Sequence, residues 1–208
     1  SGAGKSTIAK LIAKTLGILY LDTGAMYRAV GLHMLNKGIS LEDEASVNAE
    51  LGNVRLEIKY NDGVQHIFLN GKDVSEDIRA HAISKAASDV SKLPKVRQFL
   101  VAQQRAIAEK ASCVLDGRDI CTHVLPNAKF KFYLTASPEA RAKRRYDELV
   151  AKGQQVDFDV LLQDINQRDY NDMNRAFAPL RKADDAILID STNMTIEEVV
   201  QFILGVVN

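Results

Sequence analysis

The first residues of the chain, SGAGKST, have the composition of a loop that binds phosphate. Gly4, Lys5 and Ser6 form the last part of a Walker A motif, whose full pattern is G-x-x-x-x-G-K-[ST]. In such a motif the lysine reaches the outer phosphates of a nucleoside triphosphate, and the hydroxyl contacts Mg²⁺. We therefore predict an ATP site with a magnesium contact at Ser6, built from Gly2, Ala3, Gly4, Lys5, Ser6 and Thr7.

The residues after this loop predict a helix. Apolar residues recur at helical spacing between Ile8 and Leu16, and Gly17 is a typical helix-ending residue. A helix that begins at a glycine-rich loop points its N–H groups and its positive end at phosphate. The alternative is an ordinary glycine-rich helix start without a ligand. The first glycine of the motif and the strand before it would precede Ser1, so we expect the sequence to begin inside the motif.

A second group of charged residues lies near the C-terminus. Arg168, Asn171, Asp172 and Arg175 are spaced by three, four and seven residues from the first, which predicts one shared helix face. The alternative is an ordinary surface ion pair between Arg168 and Asp172, worth little stability. Because the helix end is almost entirely polar, we favour binding of an anionic ligand.

Arginines also follow two predicted strands. Arg28 comes after the loop that begins at Asp22, and Arg118 follows the predicted strand at 113–115. Strands that alternate with helices form parallel sheets, whose ligands bind beyond the carboxyl ends of the strands. We therefore expect these guanidinium groups to meet at one sheet edge, where arginine binds phosphate in a bidentate manner.

Four basic residues also fall within five positions, at Arg141, Lys143, Arg144 and Arg145. Such a run is often only a solvated helix face. The functional alternative is a flap that lays Arg141 or Arg145 over transferring phosphates, since phosphoryl transfer depends on charge neutralisation and exclusion of water.

The composition of the 208 residues, 46% hydrophobic and 26% charged, is that of a globular protein. The 27 basic and 27 acidic residues cancel, which disfavours a nonspecific nucleic-acid or membrane binder. The two cysteines, Cys113 and Cys121, are too few for a disulfide framework or a four-cysteine zinc site and suggest a cytoplasmic location. The four histidines have no metal-binding spacing. We also expect a monomer and no membrane segment.

The sequence pattern predicts strands that alternate with helices, interrupted by one stretch in which apolar and polar residues alternate. Between Val54 and Val74 apolar and polar residues alternate around the turn signals Asp62-Gly63 and Asn70-Gly71, which predicts a small antiparallel meander. Two helices separated at Pro94 should follow. We predict the α/β class, with a parallel sheet flanked by helices and a small antiparallel β and helical insert.

Taken together, the motifs resemble those of the bacterial cytidylate kinases, a branch of the nucleoside monophosphate kinases. The resemblance spans essentially the whole chain and rests on SGAGKST, LDTGAMYR at 21–28, DGRD at 116–119 and RDYNDMNRAFAPL at 168–180. It implies a P-loop NTPase-type three-layer fold with its first strand missing. It further implies a core at 1–53 and 111–208, a monophosphate-binding insert at 54–110 and a short helical lid at about 139–158.

The resemblance also implies how the acceptor nucleotide is bound. The family reads cytosine with a serine, an arginine and an aspartate that match Ser88, Arg97 and Asp119, and a carboxylate suits the N4 amino donor of cytosine. Its ribose contacts match Arg168 and Asp172. The full set of implied substrate-binding residues is Asp22, Thr23, Arg28, Ser88, Arg97, Arg118, Asp119, Arg168, Asp172 and Arg175.

We thus expect an ATP:CMP phosphotransferase that converts CMP or dCMP to the diphosphate with Mg²⁺ and ATP. Catalysis would be positioning and charge neutralisation by Lys5, Arg118, Arg175, Arg141 and Arg145. Three alternatives stay open: another P-loop kinase with a different small-molecule acceptor, a nucleotide-binding switch without phosphotransfer, and a nucleic-acid-dependent ATPase. The sequence does not distinguish CMP from dCMP.

Overall fold

The computed structural model describes residues 2–175 and 177–207, apart from the side chain of His81. Ser1 and Ala176, which belong to two of the predicted motifs, lie outside this part of the chain. The helices are α1 (Lys5–Leu16), α2 (Thr23–Asn36), α3 (Glu44–Glu50), α4 (His81–Val90), α5 (Pro94–Ala108), α6 (Pro138–Ala151), α7 (Phe158–Asn174) and α8 (Ile196–Val207). The strands are β1 (Leu19–Asp22), β2 (Leu56–Asn61), β3 (Val64–Leu69), β4 (Lys72–Asp73), β5 (Cys113–Asp116), β6 (Phe132–Thr135) and β7 (Ile187–Asp190).

The chain packs as two units, and each is described by itself. The middle unit is Ala13–Gly117, and the terminal unit combines Ser1–Ile12 with Arg118–Asn208. The two units are the parts of the chain that are most densely packed within themselves, and such parts need not coincide with functional domains. The predicted core at 1–53 and 111–208, insert at 54–110 and lid at about 139–158 therefore stay predictions.

The middle unit contains the parallel pair β1–β5 and the antiparallel sheet β2–β3–β4. β1 and β5 pair from Leu19 with Cys113 to Asp22 with Asp116, so both strands end in an aspartate at the same edge. The β2–β3 turn has positive φ at Asp62 (49°) and Gly63 (75°), as hairpin turns of this kind require. The predicted meander is therefore confirmed.

The hydrophobic core of the middle unit lies around α2, which brings together apolar side chains from the insert and from the first part of the chain. Met26 and Met34 are fully buried. Gly31 in α2 lies directly against α4: a Cβ built there would be 3.0 Å from the Ala86 Cβ and 3.2 Å from the Ala87 nitrogen. The backbones of the two helices thus approach closely at a position without a side chain.

The terminal unit contains the parallel pair β6–β7 and helices that begin at well-formed caps. The Ser137 hydroxyl accepts from the Ala140 N–H at 3.1 Å, and the Asp157 carboxylate accepts from the Val160 N–H at 3.1 Å. Thr195 and Glu198 form a reciprocal capping box at 2.8 and 3.1 Å before α8. At each of these three helix starts a side-chain oxygen therefore accepts a hydrogen bond from an N–H group of the first turn.

The α/β class is confirmed by the parallel strand pairs and the helices between them. One helix differs from the sequence-based expectation. α3 was not predicted, because its seven residues bury only Val47. The segment Ile120–Val124 forms a π-type helical turn after β5. In the described part of the chain, no helix is both long and apolar enough to cross a membrane.

Candidate active site

The phosphate loop belongs to the terminal unit and leads directly into α1. Gly2 and Gly4 both have φ of +77°, a left-handed conformation that side chains disfavour. The Gly4 carbonyl accepts the first helical hydrogen bond from Ile8 at 3.0 Å, so α1 begins at Lys5 as the motif predicts. Ser6 and Thr7 are exposed in the first helical turn. The loop and helix start therefore have the geometry that an anionic phosphate ligand requires.

The phosphate loop packs against α6 through Gly2. A Cβ at Gly2 would be 3.0 Å from the Arg141 carbonyl oxygen and 3.1 Å from the Arg141 Cβ. Arg141 itself is buried, since its Nε donates to the Ala136 carbonyl at 2.9 Å and its Nη2 pairs with Asp169 on α7 at 2.6 Å. Arg141 thus joins α6 and α7 beneath the loop.

The other basic residues of α6 have separate partners. Lys143 pairs with Asp147 and Arg145 with Glu148 (2.8 Å) on the exposed helix surface. Arg144 instead donates to the Ser191 carbonyl, which links α6 to the turn after β7. Of the four basic residues, Arg141 and Arg144 therefore contact other elements, whereas Lys143 and Arg145 lie on the solvent-exposed side of α6. The predicted catalytic roles of Arg141 and Arg145 stay predictions.

Two arginine–carboxylate contacts bring DGRD residues to the end of α7. Arg118 donates through Nε to the Asp172 carboxylate at 2.9 Å, and Arg175 Nη2 lies 4.0 Å from the buried Asp119 carboxylate. Arg168 is half-buried one turn before Asp172. The sequence-based expectation that Arg175 shares a helix face with Asp172 is wrong, because α7 ends at Asn174 and Arg175 has extended backbone (ψ 142°).

Arg175 is held in place after the helix end. Its Nε donates to the Ala178 carbonyl at 2.6 Å, while the Leu180 N–H returns to the Asp172 carbonyl at 2.8 Å. The chain therefore folds back on the last turn of α7, and this turn keeps the Arg175 guanidinium beside Asp119. A cluster of arginines and carboxylates in one unit suits a ligand that carries both phosphate and hydrogen-bonding groups.

The middle unit positions a further arginine through the junction of β1 and α2, where Asp22 ends the strand and caps the helix. The Asp22 carboxylate caps α2 by accepting from the Ala25 N–H at 2.9 Å, and it accepts from Arg28 Nη2 at 2.8 Å. Arg28 Nε is buried and has no hydrogen-bond partner among the described residues. Thr23 is buried, and its hydroxyl donates to the Asp116 carbonyl at 2.7 Å, which fixes the start of α2 to β5.

Ser88 and Arg97 flank the turn between α4 and α5. The Ser91 hydroxyl donates to the Ser88 carbonyl at 2.8 Å, and Arg97 Nη1 donates to the Ser91 carbonyl at 3.1 Å. Arg97 is 1% exposed, and its guanidinium carbon lies 5.6 Å from the centre of the Tyr27 ring. A cation packed on a ring in a buried setting has a fixed orientation. The two residues predicted to read a base are therefore tied to one rigid turn.

Neither cysteine has the lowered pKa that is typical of a reactive thiol. Burial raises the pKa of the Cys113 and Cys121 thiols above the ordinary value, which disfavours the nucleophilic thiolate. The described residues contain no group of three or more His, Cys, Asp or Glu arranged to hold a metal ion. A Mg²⁺ ion that keeps its waters and binds phosphate oxygens needs only a contact such as the exposed Ser6 hydroxyl, so the residues present fit that ion.

Sequence reasoning missed Gln65 and Tyr60 on the β2–β3 hairpin. The Asp22 N–H donates to Gln65 Oε1 at 2.7 Å, and the Tyr60 hydroxyl donates to the Tyr20 carbonyl at 3.1 Å. Both contacts join residues at least 40 positions apart, so no local sequence signal could have revealed them.

Comparison with known proteins identifies the family. All 208 residues match the family model described as cytidylate kinase. A protein of Caldicellulosiruptor bescii named cytidylate kinase is 54% identical over 204 residues, which is 98% of this chain and 90% of the relative. Proteins of the same name from Geobacillus thermodenitrificans and Halalkalibacterium halodurans are 48% and 47% identical over 100% of this chain and 93% of each relative. The chain that carries this phosphate loop and these arginine–carboxylate contacts therefore belongs to the cytidylate kinase family.

Proposed function

We propose that this chain transfers the γ-phosphoryl group of ATP to CMP or dCMP and releases the corresponding diphosphate. The family assignment and the names of its relatives support CMP as the acceptor and ATP as the donor. The phosphate loop at Gly2 and Gly4 supports binding of the triphosphate. A cytoplasmic location, a monomeric state and the absence of nucleic-acid partners stay predictions from the sequence.

One observation carries the assignment of the acceptor phosphate. Arg28 Nε is buried without a hydrogen-bond partner among the described residues, and unpaired donors of this kind are rare in folded proteins. A phosphate oxygen would satisfy this N–H with a charge-assisted hydrogen bond, while Asp22 keeps the guanidinium plane fixed through Nη2. The family pattern also assigns the acceptor phosphate to Arg118 and Arg175 and the ribose to Arg168 and Asp172.

The reaction requires no general base from the protein. The acceptor phosphate oxygen is already ionised near neutral pH, and it attacks the γ-phosphorus as the bond to the leaving diphosphate breaks. Lys5 and the loop N–H groups hold the donor, and the arginines neutralise charge as it shifts. Bound Mg²⁺, held from the protein side by Ser6, would supply further charge neutralisation on the phosphates. The lid at about 139–158, with Arg145 on its exposed face, would exclude water.

Base selection is the part of the proposal that separates CMP kinases from other P-loop kinases. Asp119 is 6% exposed, and a buried carboxylate is a strong acceptor for an amino group. Ser88 and Arg97 would complete recognition through the acceptors of cytosine. We expect Asp119→Ala to raise the KM for CMP by about tenfold or more while the KM for ATP stays nearly constant.

A coupled assay with Mg²⁺, ATP and each of five acceptors, the four ribonucleoside monophosphates and dCMP, tests the proposal. CMP and dCMP should be phosphorylated well above AMP, GMP and UMP. Asp184→Ala, a change of an exposed aspartate in the same unit, serves as the matched control for Asp119→Ala. If no CDP forms, the result favours a non-catalytic nucleotide switch. Equal losses of activity with CMP and UMP in Asp119→Ala would overturn the cytosine assignment. Stimulation of ATP hydrolysis by RNA or DNA would favour the ATPase alternative.

A further inference from the structure

The outer edge of β1 is covered by side chains of the β2–β3 hairpin. Among the described residues, β1 pairs with a strand along one edge, that of β5, and the Leu19 N–H points toward that edge, where it donates to the Ser112 carbonyl at 3.1 Å. Because N–H and C=O groups alternate along a strand, those of Tyr20 and Asp22 point to the opposite edge. Edge groups of this kind normally pair with another strand, with water or with a covering element.

Two residues of the hairpin satisfy these groups. Tyr60 and Gln65 are direct partners in the β2–β3 register, so both side chains lie on the same face of the hairpin. The Tyr60 hydroxyl donates to the Tyr20 carbonyl at 3.1 Å. Gln65 contacts both backbone groups of Asp22: Oε1 accepts from its N–H at 2.7 Å, and Nε2 is 3.5 Å from its carbonyl oxygen.

The residue that Gln65 holds is the one that orients Arg28. The two carboxylate oxygens of Asp22 have different partners, with Oδ1 on the Ala25 N–H and Oδ2 on Arg28 Nη2 at 2.8 Å. A change in the backbone of Asp22 would therefore move the helix cap and the guanidinium together. The contacts form a continuous series from the Gln65 amide through Asp22 to Arg28.

We infer that Gln65 is a positioning residue for the acceptor phosphate: its amide clamps the Asp22 backbone and thereby fixes the Arg28 guanidinium. This inference rests on the proposed function, in which Arg28 binds the phosphate of CMP. It assigns the insert a task beyond contact with the base, because a side chain of the hairpin controls the phosphate end of the same acceptor. In this role Gln65 acts on the acceptor phosphate through Asp22 and Arg28.

The alternative is that Gln65 only fastens the hairpin to β1, as Tyr60 does. The two roles predict different measurements. A fastening contact affects thermal stability and all ligands alike, whereas a positioning contact affects ligands that carry the phosphate. Cytidine and CMP differ only in that phosphate, so the ratio of their dissociation constants reports on Arg28 and its support.

The experiment measures the dissociation constants of CMP, cytidine and ATP by calorimetry on the full chain and four variants. Gln65→Met keeps the length of the side chain without its amide, and Gln65→Asn keeps the amide but shortens its reach by one methylene. Tyr60→Phe removes the neighbouring hairpin contact, and Val64→Ala changes an exposed residue on the same strand. Circular dichroism and thermal midpoints establish which variants are folded, and Gln65→Asn replaces Gln65→Met if the latter is not.

Loss of one hydrogen bond that orients a charged group should weaken CMP binding about fivefold in Gln65→Met and Gln65→Asn. Cytidine and ATP should change by less than about twofold, and Tyr60→Phe and Val64→Ala should leave the CMP-to-cytidine ratio at the wild-type value. In an Arg28→Ala background, Gln65→Met should have no further effect on CMP, since the two residues act in series.

Three results would overturn the inference: an unchanged CMP-to-cytidine ratio in both folded Gln65 variants, an equal change in Tyr60→Phe, or additive effects with Arg28→Ala. Failure of the proposed function is distinguishable, because the wild-type chain would then neither bind CMP nor form CDP.

Discussion

Replacing Gly2 by alanine tests whether the phosphate loop and α6 are fitted to each other at a single position. The new Cβ would meet the Arg141 carbonyl oxygen at 3.0 Å and the Arg141 Cβ at 3.1 Å, and the residue would have to keep φ at +77°. Neither neighbour can move freely, because Arg141 is tied to Ala136 at 2.9 Å and to Asp169 at 2.6 Å. The loop or α6 must therefore shift by a few tenths of an ångström.

The expected cost has two parts that matched variants separate. A left-handed conformation costs an alanine about 1 kcal/mol, and crowding against a fixed backbone adds about 1–2 kcal/mol. Gly17, at the other end of α1, has φ of +64° and no atom within 4 Å of its Cβ position, so Gly17→Ala carries the first cost alone. Gly4→Ala places strain in the loop with only ordinary contact, at 3.5 Å from the Ile8 Cδ1.

Thermal unfolding and steady-state kinetics measure these effects. For a chain of this length, Gly2→Ala should lower the thermal midpoint by about 6 °C and Gly17→Ala by about 3 °C. The KM for ATP should rise at least about fivefold in Gly2→Ala, since the loop must move, and stay near wild type in Gly17→Ala. The reasoning is refuted if Gly2→Ala is no less stable than Gly17→Ala and binds ATP equally well.

Further predictions concern groups in each unit. Burial raises the pKa of Tyr60 to about 12. The contribution of the neutral phenol to stability is therefore complete below about pH 10 and is lost as pH rises toward 12. Tyr60→Phe should remove this loss of stability at alkaline pH, which thermal midpoints and tyrosinate absorbance measure. Asp169→Asn leaves the buried Arg141 without its anionic partner and should cost about 2 kcal/mol in chemical denaturation. Thr23→Val removes the hydrogen bond to the Asp116 carbonyl and should cost about 1 kcal/mol, whereas Thr23→Ser should retain most of the wild-type stability; equal losses would contradict the role of the hydroxyl.

Local rules explain which elements could be predicted from the sequence. Helix starts at Ser137, Asp157 and Thr195 depend on a side chain and backbone groups two or three residues later, so a short pattern contains all the information. The Asp62-Gly63 turn likewise depends on two residues. α3 was missed because only Val47 is buried; the carboxylate of Asp43, which accepts from the Ser46 N–H at 3.1 Å, was its one local signal.

The site was only partly predictable for a related reason. Motif residues such as Asp119 and Asp172 could be named from the sequence, but their partners depend on how distant segments pack. Asp172 contacts Arg118, which lies 54 positions away in the sequence. Arg175 leaves the helix because the chain turns back at Ala178 (φ +46°), a conformation that no spacing rule predicts at an alanine. The roles of these residues in substrate binding stay predictions.

The contact between α2 and α4 at Gly31 bears on the proposed substrate contacts. α2 bears Arg28 near its start and α4 bears Ser88 near its end, and a Cβ built at Gly31 would lie 3.0 Å from the Ala86 Cβ. Helices in such close contact cannot slide past each other without a clash. If Arg28 binds the acceptor phosphate and Ser88 the base, as proposed, this contact fixes the separation of the two binding groups. A larger residue at position 31 would then change that separation and the length of nucleotide that fits.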